Sequence, residues 1–400
     1  MPPAKKVHSN SSYLPAPLWK LKPHRSQKIW GTERWLFSIH PNGASTVDGG
    51  LFNGKTLAAA IEEFNAAQPH SPAIPLPPIL VKIIQTHEAL SVQVHPNNAY
   101  ARRHENSYGK SECWFFIDHE PQATVISGFR TALRRQKKNE NMHPSPFKDT
   151  RNTFPHTQSP QIPQNPKNTE DTENTENNDA NNDIRQLFLS GDKKAIEKEL
   201  RYLKVETGAS LYIPAGTIHA IGKGITLLEV QQSSDITYRL YDYGRDRETH
   251  LEKSLAVLDR NATGIHYPPA SYKKIATPYF TIEPQTLKKG EQQPFTFSPP
   301  LANQTTILVV LTGALKISTP SSPIDEKNSS ENTSAKTRHF TTISTEHPSS
   351  EHSNTIIAEH EDCLYAPNGG HFLLESPNET TSYVKIEAFL SPSASSETSY

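Results

Sequence analysis

Cysteine is scarce in this chain of 400 residues: Cys113 and Cys363 are the only two and lie far apart, which excludes a disulfide framework and a CxxC site and fits a reducing compartment. Long apolar runs are missing as well. No stretch is long enough to cross a bilayer, and the opening MPPAKKVHSNSS is basic without the apolar core of a secretion signal, so a cytoplasmic location is expected. The formal net charge is only -1, so no broad field attracts nucleic acid or an anionic membrane, and neither is an expected partner. Any anion must be held by local groups. Apolar residues make up 34% of the chain against 33 prolines, so a length sufficient for two or three cores is expected to leave part of itself outside them.

That part is easy to find. Residues 136–183 are rich in Asn, Thr, Glu and Pro with almost nothing aliphatic to bury, and read as a disordered insertion. Residues 320–354, rich in Ser, Thr and Glu between two strand-like runs, read as a long loop, and 391–400 as a polar tail. Two helices stand out. Leu57, Ala60, Ile61 and Phe64 recur at helical spacing after Thr56 as a cap, and Ile196, Leu200 and Leu203 recur likewise after Asp192. Elsewhere the chain is short β-prone runs: ILVKII (79–84), LSVQVHP (90–96), ECWFFID (112–118), SLYIP (210–214), ITLLEVQQ (225–232), TILVVL (306–311) and HFLLES (371–376). The expected fold class is therefore mainly β, as sandwiches or barrels with a few packing helices. The expected division is an arm over 1–27, a first domain over 28–135 and 184–265, and a second β domain over 266–390.

The most specific local pattern is Gly208-(x5)-Pro214-x-Gly216-x2-His219, where glycines and a proline turn one strand into the next and aim a histidine inward. It matches the second signature of cupins, except that Lys223 stands where the closing asparagine is usual. A generic hairpin with a core histidine would read the same way. In LSVQVHP, period-two alternation puts Gln93 and His95 on one face, and Glu112 opens the run ECWFFID. Two imidazoles, a carboxylate and an amide oxygen make a borderline nitrogen and oxygen set that suits Zn²⁺ and leaves room for substrate. Each residue alone is ordinary; the combination carries the signal. Gly109-Lys110-Ser111 lacks the upstream glycine of a phosphate loop, Cys113 reads as a buried inert thiol, and His40, His70, His87 and His104 have no ligand spacing.

Together LSVQVHPNNAYA, GKSECWFF, YIPAGTIHAIGKGITLLEVQQSSDITYRLYDYGR, IWGTERWLFSIHPNG and GGLFNGKTL resemble segments of short bacterial type I phosphomannose isomerases, over roughly 28–130 and 184–260. The departure from compact relatives is the long interval between Glu112 and His219, which the polar insertion accounts for. The resemblance implies two cupin (jelly-roll) β-barrel domains. It implies one Zn²⁺ per chain held by Gln93, His95, Glu112 and His219. It also implies a catalytic group of Arg239, Glu229 and Lys82, with Lys110, and more weakly Ser91 and Arg245, on the substrate and its phosphate. The implied reaction moves a carbonyl between C1 and C2 of a hexose 6-phosphate through an enediol, mannose 6-phosphate to fructose 6-phosphate, in a monomer or weak homo-oligomer. An Fe(II) cupin oxygenase and a non-catalytic sugar-phosphate-binding cupin are the alternatives. In the second domain YAPNGGHFLLES echoes the histidine turn, but His371 is out of register and no Gln-x-His precedes it, so that barrel is expected to hold no metal.

Overall fold

In the computed structural model the described residues are 18–69, 71–130, 182–298, 304–319 and 355–389. The expected loop 320–354, the tail 391–400, His70, residues 1–17 of the arm and nearly all of the insertion 136–183 lie outside them. Strand dominates, as expected, and the chain divides into two compact units.

One unit comprises Arg25–Trp35 and Ile79–Tyr272. Its larger sheet runs Ile265–Tyr267, Ser210–Ile213, Glu112–His119, Ile225–Gln232, Ile79–Thr86, Gly31–Phe37, His24–Lys28. The register matters more than the order. Glu229 is the Cα partner of Lys82 on one side and Trp114 on the other, and Gln231 is the partner of Glu112. Partners across an antiparallel ladder project to the same face. Lys82, Glu229, Trp114 and Glu112 therefore share one face of one sheet. The smaller sheet runs Tyr238–Tyr241, Val92–Val94, His219–Ile221, Thr124–Phe129, Leu200–Lys204, and its partners Arg239, Gln93, His219 and Ser127 form a row across it. Trp114, Phe116, Leu211 and Leu227 from the first sheet meet Val125 and Ile221 from the second in a shared core.

The alternating residues Val92 and Val94 face the other way. They pack with Ile126, Ala220 and Leu240 beneath Ile184 and Phe188 of a helical stretch at 182–189, Ile196 of the helix Lys193–Glu199 and Leu255 of the helix Leu251–Val257. Asp192 caps Lys193–Glu199 as expected, its Oδ1 accepting from Lys194 N at 2.9 Å and Ala195 N at 3.2 Å. The expected continuation through Leu200 and Leu203 is corrected: both belong to the strand Leu200–Lys204, paired with Phe129 and Val125. The reason is that two cores are on offer. Leu200 faces the helical layer and Leu203 the core between the sheets, which odd and even strand positions satisfy and one helix face cannot.

The other unit comprises Met1–His24, Leu36–Pro78 and Lys273–Tyr400. The expected boundaries set 1–27 apart as an arm and put 28–135 in the first domain; in this division 18–24 and 36–78 group with Lys273 onward, while 28–35 stay with the site-bearing unit. Trp19–Lys22 alternates buried Trp19 and Leu21 with more exposed lysines, and pairs with both Cys363–Tyr365 and Thr46–Asp48. The helix Leu57–Ala66, capped by Thr56 Oγ1 on Ala59 N at 3.3 Å, adds Phe64, whose ring lies 5.9 Å from Trp19. Aromatic burial and strand pairing thus draw these segments into the unit of Lys273–Tyr400. Its second sheet runs Gln292–Phe297, Gly370–Glu375, Leu315–Ser318, Ile356–Ala358. His371 is exposed there, its Nδ1 3.0 Å from Thr296 Oγ1.

In the site-bearing unit the chain turns back after His219–Ile221 at Gly222, where an added Cβ would lie 2.1 Å from Thr124 O. Gly222→Ala is therefore expected to destabilise the protein by about 1–3 kcal/mol, read as a lower denaturant midpoint at an unchanged slope.

Candidate metal centre and active site

Three separated segments deliver the centre. His95 follows the strand Val92–Val94, Glu112 opens Glu112–His119 and His219 opens His219–Ile221. A backbone bond from Gly216 N to His95 O at 2.9 Å ties the two histidine segments together. Gly216 sits at φ +87° and Gly208 at φ +82°, left-handed conformations that the strand–turn–strand pattern before His219 needs glycine to adopt.

His95 Nε2 lies 3.4 Å from Glu112 Oε2, and His219 Nε2 lies 3.4 Å from Glu112 Oε1, with the two imidazole rings 4.7 Å apart. All three side chains are buried, and one ligand atom from each lies within 4.8 Å of the others. His219 Nδ1 donates to Thr217 O at 2.8 Å, which leaves the lone pair on Nε2 facing Glu112. Lys110 Nζ donates to His95 Nε2 at 2.9 Å, so that nitrogen also carries a lone pair. Neither oxygen of Glu112 has an aligned hydrogen-bond donor, although Lys110 Nζ is 3.0 Å from Oε2. Two neutral imidazoles and an under-satisfied buried carboxylate aimed at one point fit a divalent cation.

The electrostatics agree. Burial, reinforced by Lys110, pushes His95 down to about 3, so its imidazole is neutral at physiological pH. Burial and Lys110 also lower His219, although Glu112 acts in the other direction. Burial by itself would raise Glu112, but Lys110 and the two histidines outweigh it and hold the carboxyl well below the usual value. Burial raises the Cys113 thiol, in keeping with an inert role.

Gln93 reaches the same place from the smaller sheet, its Nε2 3.4 Å from His219 Nε2 and its Oε1 3.5 Å from Ser91 Oγ. A half-turn of the amide presents its oxygen to the centre instead. Ser91 is thus a neighbour of Gln93. Arg239, in register with Gln93, is half-buried, and its Nη1 donates to Glu248 O at 2.5 Å. Arg245 is engaged elsewhere: it holds Asp242 Oδ1 at 2.6 Å and Ala89 O at 2.9 Å, and Arg247 grips the same carboxylate.

Beside the triad stands a second charged group. Lys82 Nζ is 3.2 Å from Glu229 Oε2, and Glu229 Oε1 accepts from Trp114 Nε1 at 3.1 Å, while the Trp114 ring lies 5.7 Å from that of His219. Glu33, which sequence reasoning passed over, completes it. The carboxylate is buried, accepts from Trp35 Nε1 at 2.7 Å, and Lys82 Nζ sits 5.0 Å over that same indole. Period-two alternation in TERWLF, which sets Glu33 and Trp35 on one face, was the available signal. Burial would lower Lys82, but Glu33 and Glu229 outweigh it and raise it. Burial raises Glu229 even against Lys82, giving a carboxylate whose proton affinity is brought closer to neutrality.

The family model for the phosphomannose isomerase type I catalytic domain matches residues 18–132. A mannose-6-phosphate isomerase of Streptococcus mutans is 30% identical over 325 residues, covering 73% of this chain and 87% of that protein. A Bacillus subtilis mannose-6-phosphate isomerase is 33% identical over 263 residues, 60% of this chain and 67% of its own length. Among solved structures, a mannose 6-phosphate isomerase from Bacillus subtilis aligns with a TM-score of 0.58 at 22% identity, over 93% of this chain and 99% of that one. A putative mannosephosphate isomerase from Archaeoglobus fulgidus aligns at 0.56 and 16%, over 94% and 98%. These structures share the fold.

Proposed function

The chain belongs to the mannose-6-phosphate isomerase family, and from that premise we propose that Gln93, His95, Glu112 and His219 hold one zinc ion where D-mannose 6-phosphate and D-fructose 6-phosphate are interconverted. It is an isomerase of aldose and ketose phosphates. The observation that carries the metal assignment is the convergence of His95, Glu112 and His219, all buried, with ligand atoms within 4.8 Å of one another.

Shifting a carbonyl between C1 and C2 requires removal of a proton from the carbon beside it, which develops negative charge on the two oxygens. When bound, the ion supplies Lewis-acid stabilisation of that charge, on the order of several kcal/mol. Glu229 is the base in this reading. Its carboxylate takes the proton from C2, the C–H pair becomes the C1–C2 double bond as the C1 carbonyl pair moves onto O1, a proton passes from O2 to O1, and the proton held by the carboxylate returns to C1 as the carbonyl forms at C2. Lys82, 3.2 Å away, orients that carboxylate and offsets its charge. Lys110 and Arg239 supply positive charge for the anionic substrate, with Ser91 steadying Gln93. Arg245 would reach a phosphate only by releasing Asp242. No helix among the described residues is long and apolar enough to cross a membrane, and the working setting in this reading is the cytoplasm, as a monomer or weak homo-oligomer.

A coupled assay on mannose 6-phosphate with and without chelator tests the assignment. Turnover lost on chelation and restored by Zn²⁺ is expected. Turnover that survives complete metal removal would overturn the zinc reading, and oxygen uptake or binding without turnover would overturn the isomerase.

A further inference from the structure

The turn Gly109-Lys110-Ser111 brings a lysine into the centre, and each of its three backbone amides is held from outside the turn. Gly109 N donates to Asn98 Oδ1 at 2.9 Å, Lys110 N to Pro96 O at 3.0 Å and Ser111 N to Gln232 Oε1 at 3.1 Å. Gln232 Nε2 donates to the same Asn98 Oδ1 at 2.9 Å, so the two side-chain amides are joined. Gln232 N also donates to Ser111 O at 3.2 Å, and Gln232 is 4% exposed, which keeps water from substituting for its bonds. The fit is close: a Cβ on Gly109 would lie 2.5 Å from both Asn97 C and Asn98 N.

We propose that Asn98 and Gln232 form a positioning pair that anchors the turn bearing Lys110 beside the triad and so sets how tightly the site takes its hexose phosphate; the substrate half of this rests on the isomerase reading above. The physical need is plain. A lysine ammonium ends a flexible four-carbon stem with no directional fork, so its position depends on how firmly its backbone is anchored. In the structure the ammonium stands 2.9 Å from His95 Nε2 and 3.0 Å from Glu112 Oε2, at the edge of the triad. Bonds to the amides on either side of Lys110 fix the direction in which its side chain leaves. The sequence separation of Asn98 from Gln232 means that the pair also joins the helix Asn98–Glu105 to the end of the strand Ile225–Gln232.

The test uses the zinc-loaded full chain with Gln232→Leu and Asn98→Ala, and with Asn98→Asp as the conservative variant that keeps an acceptor for both donors. Each of the first two is expected to raise KM for mannose 6-phosphate about tenfold with a smaller change in kcat and unchanged zinc content, and Asn98→Asp to recover most of the loss. In a Lys110→Met background Gln232→Leu is expected to add almost nothing to KM, because the residue it positions is gone. An unchanged KM, or an equal rise with and without Lys110, overturns the proposal. Hydrogen exchange needs no turnover: the Lys110 and Ser111 amides are expected to exchange faster in Gln232→Leu than in the parent, and unchanged exchange overturns the positioning itself. Absence of turnover in the parent would strike the isomerase reading instead, with the exchange result still deciding whether the pair anchors the turn.

Discussion

Glu112→Gln is expected to lower turnover of mannose 6-phosphate by at least about a thousandfold and to strip the protein of zinc. Glu112 is the one anion among the three buried side chains that converge, and Lys110 Nζ stands 3.0 Å from it. A neutral amide of the same shape leaves two imidazoles and an ammonium around a divalent cation, and the repulsion is no longer offset in a site with little water to screen it. Without the ion the variant also retains a buried lysine whose closest carboxylate has been neutralised, so a lower melting temperature is expected as well. His219→Gln makes the useful contrast. It removes a ligand but keeps Lys110 paired with Glu112, so zinc should be weakened with a smaller loss of stability. Metal content by elemental analysis, melting temperature and steady-state kinetics on the same preparations check all three. Stoichiometric zinc in Glu112→Gln with more than a tenth of the parent rate would remove the basis of the metal assignment.

Much of this centre is legible in the sequence because strands alternate with a period of two. Gln93 and His95 follow from the spacing in LSVQVHP, and Glu112 from its place at the head of ECWFFID. Lys82 and Glu229, however, are unrelated until the register of Ile79–Thr86 against Ile225–Gln232 makes them partners across the ladder. That register depends on two long segments far apart in the chain. The domain boundary shows the same limit. The Trp19–Lys22 strand reads as part of an arm because nothing local reveals that Cys363–Tyr365 is its partner. The short helix Asn98–Glu105 buries only Ala101, so it has no apolar stripe for a periodicity argument to detect. Arg245 shows that the type of a residue is easier to read than its partner: a free cation in the sequence is, in the fold, one of two arginines on Asp242.

Glu229→Gln is expected to reduce kcat by about a hundredfold to ten-thousandfold while zinc content and fold are retained. The amide keeps an acceptor oxygen for Trp114 Nε1, now 3.1 Å from Glu229 Oε1, and Glu33 remains to balance Lys82, so the substitution removes the base with little else. Its pH behaviour separates a base from a mere ion-pair partner. A base must be ionised to act, and burial raises Glu229, so activity should fall as pH drops through a value above the ordinary 4.5 of a glutamate. Lys82 acts in the opposite direction by favouring the charged form. Lys82→Met is therefore expected to move the acid limb of kcat/KM upward, with the limb itself disappearing into the residual rate of Glu229→Gln. If Lys82→Met lowered the rate evenly at every pH, Lys82 would be contacting the substrate rather than setting the charge of its neighbour. If Glu229→Gln kept the parent acid limb, the proton would have to be carried by another group. Full activity in Glu229→Gln would remove Glu229 from the chemistry altogether.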